Sequence, residues 1–328
     1  MRSETPKHFE RSSMYQHFSL SSRLLLLLLL ALWAPVSHAA SPPSPVAALH
    51  DAVKKGETAK VKALLDSGAD ANSAAKSGVT PLIWAAIMNR PSTAALLLAR
   101  GADVNAAIPA GHYDSGLTAL IAAANGRSNI YSGAVEPSAP PPYTGKDAAK
   151  IRRHNAAVRD WRARVTKWRA GYPSLVKLLV AHGANVNAQM TNGTSAIDSA
   201  ATAGDTEVVR FLLDRGARLD LPSHEADILG TPHTATNGYY ALVGAIYEDK
   251  HNPTLVRLLL THSASPNSDS PSEMTPLGAA ASSGDAQIVR LLLEHGARPG
   301  DKDYYERTPI SYAASHPDVL ALLNKATN

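Results

Sequence analysis

The chain has 328 residues and no cysteine, which excludes disulfides, thiolate metal sites and cysteine nucleophiles. Hydrophobic residues make up 45% and aromatics only 5%, a mix rich in Ala and Leu that favours close-packed helices over a sheet sandwich. A formal net charge of +4 is too small at this length to mark a nucleic-acid binder, and no nucleic-acid partner is expected.

At the amino terminus, Arg23 precedes seven leucines, and the apolar run from Leu24 to Ala34 is 11 residues long. That is about half of the roughly 20 residues a spanning helix needs. Pro35 breaks the run, and Ser37 and Ala39 place small residues where a signal peptidase reads them. A basic flank, a short apolar core and a small-residue exit read as a secretory signal over residues 1–39. An uncleaved signal anchor is the alternative, and Met14 offers a second start. The lack of cysteine suits a bacterial periplasm first and a secreted form second.

Residues 40–328 return to one phrase. "LLLARGADVNA" ends at Ala106 and "LLVAHGANVNA" at Ala188, with fainter copies in "LLDSGADAN", "LLDRGARLD", "LLLTHSASPN" and "LLLEHGARPG". Gly68 to Gly101, Gly183 to Gly216, and Ser263 to Gly296 are each 33 residues apart. A second marker, a short small-residue stretch, recurs as "TPLIWAA", "TALIAAA", "SAIDSAA", "YALVGAI", "TPLGAAA" and "TPISYAA". Thr-Pro puts a capping hydroxyl before a proline whose missing N–H costs nothing in a first turn. An amphipathic stretch such as "TEVVRFLLDRG" or "AQIVRLLLEHG" follows, apolar at helical spacing. The glycine after it suits a left-handed helix end. Each unit is therefore helix, turn, helix and an extended finger, and it buries its apolar face only by stacking.

The period and both motifs resemble the ankyrin-repeat family, whose units open Thr-Pro-Leu-His and close Gly-Ala-Asp-Val-Asn. The resemblance implies an all-α solenoid of about seven helix-turn-helix units with finger loops. They fall at about 46–78, 79–111, 112–192, 193–235, 236–272, 273–305 and 306–328. No unit keeps the family's histidine: Ile83, Ile121, Asp198, Val243, Gly278 and Ser311 stand there. In that family the finger tips and first helices form a concave face for partner proteins. Mapped by motif, the positions here are Lys76, Val79, Trp84, Tyr113, Tyr239, Met274, Tyr304, Tyr305, Arg307 and Tyr312. Tyr, Trp and Arg are frequent interface anchors, although packing between neighbouring fingers is the plainer use of any one of them.

Two inserts interrupt the array. The first, 128–171, holds the proline-rich "SAPPPYTG" and then a stretch in which Ile151, His154, Val158, Trp161, Val165 and Trp168 fall on one helical stripe. Around it lie Arg152, Arg153, Arg159, Arg162, Arg164, Lys167 and Arg169. Such an inserted basic helix would dock on an acidic partner or an anionic membrane surface; alternatively the tryptophans fold back onto the repeats. The second insert lengthens a finger, and the spacing of its His224, Glu225, Asp227 and His233 matches no standard metal site.

Phosphate loops, zincin helices and nucleophile elbows are missing from the sequence. Ser195, Asp198 and Ser199 occupy helix-opening positions of a repeat. His182, His262 and His295 recur at the last helical turn, where an imidazole binds free carbonyls. The expectation is a monomeric, non-catalytic scaffold for a protein partner, without metal or cofactor.

Overall fold

Each opening motif does locally what its chemistry requires. In a computed structural model, which describes residues 44–112, 114–126, 144–145, 147–169, 171–221, 238–247, 252–267, 274–303 and 305–327, threonine hydroxyls cap the first helices. Thr80 Oγ1 accepts from the Ile83 N–H at 3.3 Å, and Thr275 Oγ1 accepts from the Gly278 N–H at 3.0 Å. Prolines 81, 276 and 309 occupy the first turn behind such residues. Side chains 148, 149 and 161–169 are outside this description.

Among the described residues, the helices other than one inserted helix fall into seven pairs. The first three are α1 (Pro45–Lys55) with α2 (Thr58–Asp66), α3 (Pro81–Ile87) with α4 (Pro91–Ala99), and α5 (Ala119–Asn125) with α7 (Gly171–Ala181). Between the members of the third pair runs α6 (Ala148–Arg169). Next come α8 (Ala196–Thr202) with α9 (Thr206–Asp214), and α10 (Tyr239–Tyr247) with α11 (Pro253–Thr261). The last pairs are α12 (Pro276–Ser283) with α13 (Ala286–Glu294), and α14 (Pro309–Tyr312) with α15 (Pro317–Thr327). Among the described residues there is no strand, only isolated bridges at Ala107–Thr118 and Gln189–Ser195. First helices pack on first helices, from α1 through α14, and second helices on second helices, from α2 through α15. One apolar core runs the length of the array, with Leu49, Leu97, Leu179, Leu212, Leu259 and Leu292 fully buried.

The repeated phrase closes each second helix in one way. Gly101 takes φ +82° and Gly183 +85°, and the Ala102 N–H reaches back to the Leu97 carbonyl at 3.0 Å, the reverse turn a left-handed residue permits. Ser263, standing where the other units have glycine, is forced to φ +70°. His262 and His295 each donate from Nδ1 to the carbonyl four residues earlier, at 2.9 and 2.8 Å.

The asparagine that ends the phrase ties neighbouring units together. Asn72 Nδ2 donates to the Gly101 carbonyl at 3.0 Å, while its Oδ1 accepts from the Asp103 N–H at 2.7 Å. Asn105 does the same to Gly183 and Asn185, Asn187 to Gly216 and Arg218, and Asn267 to Gly296 and Arg298. One rung departs from this pattern: Asp220 stands in place of asparagine and pairs with its own Arg218 at 2.8 Å.

The long helix α6 has α7 as its principal helical neighbour. Lys150, Arg152, Arg153 and Arg159 are exposed on it. Of the expected apolar stripe, Ile151 is exposed while His154 and Val158 are half-buried. Among the described residues, no helix is long and apolar enough to cross a membrane.

Candidate binding face

Among the described residues, the exposed tyrosines Tyr247 and Tyr305 lie on a first helix and a finger. At the amino-terminal end, Trp84 of α3 is half-buried, and Lys54 Nζ of α1 lies 3.8 Å from its ring centroid, a cation–π contact between neighbouring units. The Trp84 Nε1 is buried without an acceptor. Lys76, in the preceding finger, is exposed.

A hollow lies farther along, between α8 and α10. Its volume is about 340 Å³, and Thr194, Asp198, Thr202, Tyr240, Val243, Gly244 and Tyr247 line it. Asp198 Oδ2 accepts from the Ser195 N–H at 2.9 Å and from the Ser195 hydroxyl at 2.6 Å, closing the helix-opening box of α8. It also accepts from the Ala241 N–H, in the first turn of α10. Asp198 thus replaces the family's histidine with a different link to the next unit. Burial raises its pKa, against the hydrogen bonds from Ser195 and Ala241 that favour the anion.

Beyond the hollow the aromatic groups touch in succession. The Tyr247 hydroxyl donates to the Met274 sulfur at 2.8 Å, and burial raises the Tyr247 pKa. The Tyr312 hydroxyl donates to Asp303 Oδ2. The Arg307 guanidinium sits 4.5 Å from the Tyr305 ring and 4.7 Å from the Tyr312 ring, and it pairs with Asp303 at 3.3 Å. Asp303 Oδ1 accepts from the Tyr305 and Arg307 N–H groups, both at 2.9 Å. Burial works to raise the Asp303 pKa, but the Tyr312 hydroxyl, these amides and the Arg307 charge outweigh it and hold the group below its ordinary value. Burial, the bond to Asp303 and that carboxylate's charge push Tyr312 up to about 12, with Arg307 opposing and Tyr247 adding.

Trp84, Met274, Tyr305, Arg307 and Tyr312 therefore present surface, and the last four form one patch with Tyr247. Two expected positions need correction. Val79 is only 7% exposed, packed at the base of its finger, and Tyr239 is 6% exposed, with its hydroxyl donating to the Met274 carbonyl at 2.8 Å. Val79 is spent on the core and Tyr239 on joining units, uses that the motif alone could not separate from exposure. Tyr113 and Tyr304 lie outside the described residues, as do the residues of the second insert named above. Lys54, Asp198, Tyr240, Tyr247 and Asp303 join the face without having been singled out as binding residues. Tyr247 was the most accessible to sequence reasoning, since it shares a register position with the polar Thr202 and Ser282. Among the described residues no group of three or more His, Asp or Glu is placed to hold a metal ion.

Stacked helix pairs with linked fingers define a repeat solenoid, a fold that exposes a long face. Family models described as ankyrin repeats match residues 24–108, 49–133 and 242–328, and another matches 160–213. The chain belongs to the ankyrin-repeat family. The human ASB11 ankyrin repeat domain superposes with a TM-score of 0.57 at 22% identity, covering 87% of this chain and 97% of that one. The ankyrin repeat domain of Bcl-3 gives 0.52, also at 22% identity, covering 87% and 99%. At that identity the likeness is one of fold. Among curated relatives, palmitoyltransferase AKR1 of Naumovozyma castellii is 44% identical over 77 residues, 22% of this chain and 10% of that protein. The mouse ankyrin repeat, SAM and basic leucine zipper domain-containing protein 1 is 34% identical over 115 residues, 35% of this chain and 22% of that one. The chain thus spans under a quarter of the length of the curated relatives it matches. Ankyrin repeats generally mediate protein–protein interaction, and the scaffold is typically non-catalytic.

Proposed function

We propose that this chain is an exported, non-catalytic interaction scaffold, placed in the periplasm or secreted, which holds a protein partner along its first helices and fingers. The observation that carries this reading is the continuous patch of Tyr247, Met274, Tyr312, Arg307 and Tyr305. Tyr247 is 55% exposed and Tyr305 64%, high values for large rings in a folded array. Rings held by neighbours and bared to solvent lose little side-chain freedom on binding, which is what makes aromatic anchors effective. The patch supports a partner that offers apolar and hydrogen-bonding groups together. Crosslinking in the native envelope followed by capture tests it. The full chain retains its partner, and the combined change of Trp84, Tyr247 and Tyr305 to Ala loses it. Undiminished retention by the triple variant counts against this face.

The basic helix α6 supports a second contact. Lys150, Arg152, Arg153 and Arg159 project from it, and its hold on the array runs chiefly through α7. We propose an anionic membrane surface as its counterpart. Co-sedimentation with anionic liposomes, abolished when residues 136–170 are deleted, is the expected result; no sedimentation of the intact chain removes the idea.

A further inference from the structure

The hollow between α8 and α10 opens beside a glycine at which the two helices meet. In the register of the opening motif, Gly244 stands where the other units have Trp84, Ala122, Ser199, Ala279 and Tyr312. A Cβ at 244 would lie 2.3 Å from Thr202 Oγ1 and 3.1 Å from Thr202 Cα, so the two helices approach as closely as glycine allows. What remains beside that contact is a hollow of about 340 Å³ with an acid in its lining and tyrosines beside it.

The acid is held in an uncommon way. The donors to Asp198 are the Ser195 amide and hydroxyl, the Ala241 amide and its own backbone N–H, all of them neutral. They fix the carboxyl group in place and oppose, without overcoming, the burial that raises its pKa, so a cation beside it would draw it to the ionised form. Asp198 has no ion-pair partner among the described residues. Asp303, on the same face, differs: Arg307 lies 3.3 Å from it. A shielded carboxylate attracts a cation more strongly than one in water, and the faces of tyrosine rings add to that attraction. The hydroxyls of Thr194 and Thr202 supply acceptors for the remaining protons of an ammonium or guanidinium. An anion would be repelled here, and an aliphatic side chain would leave the carboxylate as uncompensated as before.

We infer that this hollow is a subsite for one cationic side chain, lysine or arginine, of a partner polypeptide, with Asp198 as its counter-charge and Tyr240 and Tyr247 as its aromatic walls. The inference rests on the partner-binding reading above and gives that partner a chemistry.

The test is an NMR titration of the full chain with the N-acetyl methylamides of lysine, arginine and norleucine, read at the amides of Thr202, Gly244 and Tyr247. Both cationic probes saturate, at concentrations about tenfold or more below the uncharged norleucine probe. Asp198→Asn keeps an acceptor for Ser195 and Ala241 while removing the charge; it weakens both cationic probes about tenfold and leaves norleucine unchanged. Should that variant unfold, Tyr247→Ala, at an exposed ring, replaces it and weakens the cationic probes by about threefold to fivefold. Equal binding of norleucine and lysine, saturation by none of the probes, or a cation affinity that neither variant changes would each overturn the assignment. The titration needs no partner. A null result beside a partner still lost in the Trp84, Tyr247 and Tyr305 variant therefore sinks the subsite and spares the wider reading.

Discussion

Ser263 shows what the repeated phrase demands of a single residue. Its φ of +70° is one that an L side chain adopts at a cost of about 1–2 kcal/mol, while the glycines in register adopt it freely. Ser263→Gly is therefore expected to stabilise the chain by about 1 kcal/mol in urea unfolding, whereas Gly101→Ser costs a similar amount. His50 makes the opposite point. It is 5% exposed on α1, and its Nε2 donates to the Ser73 carbonyl at 2.7 Å, pinning the first helix to the first finger. Burial lowers its pKa; the Ser73 bond works the other way, and Lys54 adds to the lowering. A depressed histidine pKa means the unfolded chain binds the proton more readily. This contribution to stability is whole above the unfolded value of about 6.5 and is lost as pH falls through the folded value. Thermal melting should thus show a decline below neutrality that His50→Gln reduces; an identical decline in that variant would remove His50 as its source. Ser263 was legible in the sequence because six units share its position. His50 was not, since its partner is 23 residues away and belongs to no motif.

At the scale of the element, the links between units carry the fold. Asn187 donates to Gly216 O at 3.1 Å and accepts from the Arg218 N–H at 2.8 Å, joining the third finger to the fourth turn. Asn187→Ala removes both bonds and should cost about 1–2 kcal/mol, while Asp220→Ala, at the rung that carries a solvent-exposed pair, should cost less. Equal losses in denaturant unfolding would mean that the asparagine ladder is ornamental. Gly244→Ala tests the other kind of link. With a Cβ 2.3 Å from Thr202 Oγ1, α8 and α10 must move apart, at an expected cost of about 1–3 kcal/mol. The helices themselves were readable from threonine caps and apolar spacing, and so was the break caused by the long insert. The side-chain exposure of individual face positions was not. Val79 and Tyr239 occupy surface positions by motif, yet both are buried, because burial in a stacked array depends on the surrounding units as much as on the residue itself.

At the scale of the whole molecule, the array leaves one side occupied by second helices and core, and another side lined with Trp84, Tyr247, Met274, Tyr305 and Tyr312. The sequence made the solenoid legible through its 33-residue spacing, and the family models agree with it over most of the chain. It pointed to an aromatic face in outline, but it did not place Asp198 in a hollow or connect Tyr247 to Tyr312, since those meetings come from different repeats. Repeat arrays serve unrelated partners, so the fold alone names none. The most direct measurement is hydrogen–deuterium exchange on the full chain, free and bound to its crosslink-identified partner. Protection concentrated in α3, α8, α10, α14 and the finger before α14 is the expected result. Protection confined to α2, α4, α9, α11 and α13 would contradict the account.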